Sequence, residues 1–112
     1  MTEESFQEKF EKVVIGIEKA GYDYAEKKAQ SWQMQELRKV VLAKEMSKCD
    51  VKSSVEKERL ALVSEEYQNH ILGTSQAIHE ELKAKAKCEK LSNQFEAYRS
   101  LCSLEKKQMN IL

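Results

Sequence analysis

Residues 6–24, FQEKFEKVVIGIEKAGYDY, decide the fold. Phe6, Phe10, Val13, Ile17, Ala20 and Tyr24 recur at alternating spacings of four and three. That is the two-per-heptad seam by which one α-helix packs along another. Near the other end, AKAKCEKLSNQFEAYRSLC (84–102) repeats it with Ala84, Cys88, Leu91, Phe95, Tyr98 and Cys102. Nothing between them forces a sheet or a run of tight turns. The 112 residues include no proline, and the glycines are Gly16, Gly21 and Gly73; these two residue types are the strongest local breakers of regular structure.

Outward from these seams, the helix signals are local. Thr2 has the chemistry of an N-cap, and Glu3 and Glu4 would then complement the dipole of the first turn. Gly16 and Gly21 beside the first seam suggest a close helix approach or a kink. After Tyr24 the apolar period meets Lys27 and resumes at Met34, Leu37 and Val41, which reads as a stutter. Trp32, the single tryptophan, would fill that gap as core; exposed, it becomes the best candidate for a partner hot spot.

The period fails over residues 47–54, SKCDVKSS. Ser53 and Glu56 have capping-box spacing, so a short helix starts there, and Ser64 before Glu65 and Glu66 caps another. In the last segment Tyr67, Ile71 and Ile78 share a stripe with Leu82 beside it, and Gly73 marks a further possible break. The expected organisation is a single helical domain over 1–112: a long helix 3–47, a turn 48–53, a short helix 54–63 and a long helix 65–109. The two long segments match in length. They predict an all-α, coiled-coil-like antiparallel hairpin with a short corner helix, and narrow seams of this kind are often completed by a second copy of the chain.

Bulk charge restricts the function classes. Nineteen basic and nineteen acidic residues cancel, whereas a protein that binds nucleic acid or membranes through its global field is usually basic. The asymmetry is local: residues 51–82 carry three basic and six acidic side chains, and 83–112 carry seven and three. Three cysteines without a CxxC pair read as free thiols of a reducing compartment. The start MTEESFQEKF is acidic and polar, unlike a signal peptide, and no apolar run approaches the ~20 residues that cross a bilayer. A cytoplasmic, membrane-free protein is expected.

Chemistry-bearing constellations are sparse. His70 and His79 are nine residues apart, about 180° around a helix, and do not converge on one ion. His79-Glu80-Glu81-Leu82-Lys83 has lysine where HExxH needs its second histidine. Cys88 and Cys102 lie on the apolar stripe, where cysteine serves as a small hydrophobe, and Cys49 sits in the turn with no histidine near it in sequence. No catalytic, cofactor or metal residues are assigned, and no cofactor or enzymatic activity is expected. Lys83, Lys87 and Lys90 form a basic row at i, i+4 and i+7, with Arg99 further on. They are either the solvated face of a helix, the favoured reading, or contacts for single-stranded nucleic acid. Phe6, Phe10, Trp32, Phe95 and Tyr98 are the candidates for self-association or partner binding.

Ser64-Glu65-Glu66-Tyr67, then Gly73, then a charged helix ending in Phe95-Glu96-Ala97-Tyr98-Arg99-Ser100-Leu101 form a recognisable succession. It resembles small, uncharacterised helical proteins encoded by phages and prophages. Leu37-Arg38-Lys39-Val40-Val41-Leu42-Ala43-Lys44 is similar to the first helix of that family. The resemblance covers about two-thirds of the chain. Because genes of this family lie beside recombination and single-strand annealing functions, it implies an accessory role in phage DNA metabolism; it assigns no catalytic residue. The favoured expectation is a phage-derived helical interaction module that forms a homo-oligomer, a dimer first, or pairs with a partner helix. The alternative is a recombination accessory protein touching single strands through the basic row.

Overall fold

A computed structural model describes the backbone of residues 5–111 and the side chains of residues 5–109. The described chain is all-α: α1 (Phe6–Ser47), α2 (Ser54–Leu62) and α3 (Glu65–Ile111), with no strand among the described residues. The expected cap at Thr2 and the acidic pair Glu3–Glu4 lie outside the described residues. Ser5 caps the helix that is described, its hydroxyl accepting from the Glu8 amide at 3.2 Å. α3 runs through Gly73 without a break, so the break anticipated there does not occur.

The chain forms two compact units. The terminal unit pairs Met1–Ala25 with Lys83–Leu112. Inside it α1 and α3 pack antiparallel: Phe6 meets Tyr98, Phe10 meets Phe95, and the Cys88 thiol reaches the Ala20 carbonyl at 3.1 Å. Ala20 and Ala84 are buried and Phe6, Phe10, Val13, Ile17, Leu91, Phe95 and Tyr98 are half-buried. Large apolar residues at both seam positions drive this contact, because each removes apolar surface from water at roughly 25 cal/mol per Å². A Cβ added at Gly16 would sit 3.7 Å from Leu91, and one at Gly21 would meet nothing within 4 Å. Neither glycine is needed for a close helix approach.

The corner unit, Glu26–Leu82, holds the rest of α1, all of α2 and the start of α3. Its seam corrects the sequence expectation. No stutter occurs: the four–three spacing continues from Tyr24 through Lys27, Ser31 and Met34. Ser31 is fully buried, Lys27 and Met34 are half-buried, and Leu37 is exposed. On α3 the same spacing runs from buried Tyr67 through His70, Thr74, Ala77 and Glu81, all half-buried, to Ala84. Ile71 and Leu82, expected on or beside the buried stripe, are exposed.

Serines set the corner as their spacing predicted. The Ser53 hydroxyl accepts from the Glu56 amide. Ser64 accepts from the Tyr67 amide at 3.2 Å and donates to the Ala61 carbonyl at 2.7 Å, so one hydroxyl starts α3 and ties it to α2. The Gln68 side-chain amide donates to the Leu62 carbonyl. Cys49 is half-buried, its thiol lying against the carbonyls of Glu45 and Lys57. The Glu45 side chain, only 10% exposed, receives Lys48 Nζ at 2.9 Å. That hydrogen bond, then the charge of Glu45, raises the Lys48 ammonium above the ordinary lysine value.

Candidate interaction surfaces

The aromatic candidates divide by unit. Phe6 and Tyr98 meet edge to face, with ring centroids 5.5 Å apart and planes at 75°; Phe10 and Phe95 are tilted at 5.3 Å. Such pairs contribute about 0.5–1.5 kcal/mol beyond their buried area. Arg99 lies over the Phe95 ring at 6.0 Å and pairs with Glu96 at 3.3 Å. Phe6, Phe10, Phe95 and Tyr98 therefore occupy the seam of the terminal unit. Cys102, expected on that stripe as a buried residue, is exposed one helical turn beyond the Phe6–Tyr98 contact.

Trp32 is 65% exposed and is not the core filler it was expected to be. The reason is phase. With the heptad unbroken, Ser31 takes the seam position and Trp32 points about 100° away from it. On that flank of the corner unit lies a groove of about 550 Å³, lined by Gln35, Glu36 and Arg38 of α1 and Ile71, Thr74, Ser75 and Ile78 of α3. Helical geometry aims Trp32 between the directions of Gln35 and Glu36, one turn before them on the same face. Between the same two helices His70 Nε2 lies 2.8 Å from the Met34 carbonyl. The Met34 methyl lies 3.0 Å from where a Cβ on Gly73 would stand.

The basic row is partly rearranged. Lys83, Lys87 and Lys90 are exposed and fall within a sector of about 60° on α3. Arg99 does not join them: sixteen residues past Lys83, it is rotated by about 160° and is engaged with Glu96 and Phe95. Of the histidines, His79 is exposed and His70 belongs to the helix–helix contact. Among the described residues no group of three or more His, Cys, Asp or Glu side chains is placed to hold a metal ion. No helix among them is long and apolar enough to cross a membrane.

Sequence reasoning missed Ser31, His70 and the buried Glu45 as interior residues. Their spacing was the available signal: continuing the four–three count from Tyr24 and from Tyr67 lands on Ser31 and His70. Their polarity hid it. No protein-family model, no curated protein and no solved structure matches the chain.

Proposed function

We propose that this chain is a non-enzymatic helical interaction and oligomerisation module. One observation carries the reading: many large apolar side chains outside the terminal seam are exposed. Among the described residues the fully buried apolar ones are three alanines and Tyr67, while Trp32, Val40, Leu72, Leu82 and Leu104 are each more than half exposed. A hairpin that leaves so many large apolar residues exposed keeps apolar surface for another protein. The three free cysteines support a reducing, cytoplasmic setting. The likeness to phage-encoded helical proteins supports a phage origin.

Sedimentation and light scattering over a wide concentration range test this. An oligomer that dissociates on dilution is expected, and a monomer at every concentration removes the oligomerisation reading. The nucleic-acid reading retains Lys83, Lys87 and Lys90, which are exposed within one sector. It requires single-strand binding at low salt that weakens steeply as salt rises and is reduced by Lys83/Lys87/Lys90→Ala. No binding at low salt sinks it.

A further inference from the structure

We propose that a second copy of this chain docks on the Trp32 face of the corner unit, through a two-fold contact in which each Trp32 enters the other copy's groove. The inference rests on the oligomerisation reading above and adds the partner, the face and the symmetry. A two-fold interface uses one patch on both copies, so that patch must be self-complementary. This face has both halves of such a fit. It presents a protruding, largely exposed indole beside a groove of about 550 Å³ whose walls include Ile71 and Ile78. Interface hot spots are enriched in tryptophan, and this groove offers Ile71 and Ile78 as its apolar walls among polar neighbours.

The groove is self-complementary in charge as well as shape. Glu36 and Arg38 both line it, and among the described residues neither forms an ion pair within the chain. In the proposed two-fold contact Glu36 of one copy pairs with Arg38 of the other, twice. A chain of zero net charge meets no overall repulsion from its own copy.

The experiment uses the full chain and its single tryptophan as reporter. Sedimentation equilibrium is run beside Trp32 fluorescence over the same concentrations. As dimer forms, emission is expected to shift to shorter wavelength with the same midpoint as the mass transition. Trp32→Ala is expected to weaken association by about 100-fold with helicity by circular dichroism unchanged, because the side chain lies outside the seam. Glu36→Arg alone and Arg38→Glu alone are each expected to weaken self-association by about tenfold. Mixed together they form a heterodimer at least as tight as the unaltered dimer, because the altered faces are opposite in charge. An oligomer whose Trp32 emission stays solvent-like and whose Kd ignores Trp32→Ala overturns this face and leaves self-association standing. A monomer at all concentrations overturns both.

Discussion

The terminal and corner units are built from the same two helices on the same four–three spacing, yet they fill their seams with opposite chemistry. In the terminal unit the spacing positions hold Phe6, Phe10, Ile17, Leu91, Phe95 and Tyr98, and these large side chains pack against each other within the chain. In the corner unit the equivalent positions hold Ser31, Met34, His70, Thr74 and Ala77, while Trp32, Val40 and Leu72 face outward. Heptad phase is a property of the backbone and continues whatever side chains occupy it. A unit with small or polar seam residues keeps its register through hydrogen bonds and the corner caps, and its larger apolar residues remain available to another surface.

The strongest way to break this contrast is to empty the terminal seam. Phe95→Ala removes the ring packed on Phe10 and should cost about 2–3 kcal/mol, below the full cost of truncating a wholly buried phenylalanine. Urea unfolding measures the loss, and amide exchange locates it. Protection should fall first in the terminal unit; an equal fall in the corner unit would mean that the two share one stability.

A smaller effect compares glycines across the units. Gly21→Ala enters open space on α1 and should stabilise by about 1 kcal/mol, the helix-propensity difference alone. Gly73→Ala brings its Cβ to 3.0 Å from the Met34 methyl, so part of that gain is lost to displacing Met34. Equal rises in the two melting temperatures would show that Met34 yields freely and that the corner seam is looser than its geometry suggests.

The smallest effect concerns the Glu45–Lys48 pair in the corner unit. Lys48 has a folded value raised above its ordinary 10.5, first by the hydrogen bond to Glu45. A base raised on folding contributes stability that is fully present below its unfolded value and fades as pH rises through the folded one. Lys48→Met should therefore lower the melting temperature slightly at neutral pH, with the difference closing in strongly alkaline solution, above 10.5. A difference that persists there would assign the effect to packing rather than to charge.

Much of the fold was legible because helix signals are local. The Ser53 and Ser64 caps, the loss of period over 47–54 and the Phe–Tyr seam each depend on residues within a turn or two of one another. The interaction surface was less legible. Which face of the corner unit is inside follows the four–three count through Lys27, Ser31 and Met34, not the hydrophobicity of single residues. Reading Met34 and Val41 as seam residues kept that count, since both are half-buried, whereas adding exposed Leu37 and placing Trp32 in the core followed the apolar residues and lost it.

By itself, the sequence determined that the chain is helical and where its corner lies, since breakers and caps act over short range. Tertiary structure alone decided that Ser31 is buried and Trp32 exposed, that Arg99 turns away from the lysine row, and that Ile71 and Ile78 line a groove. The physical reason is rotation. Each residue turns the helix by about 100°, so a side chain's environment is fixed by where the two helices first engage and by the phase that contact imposes on every residue after it.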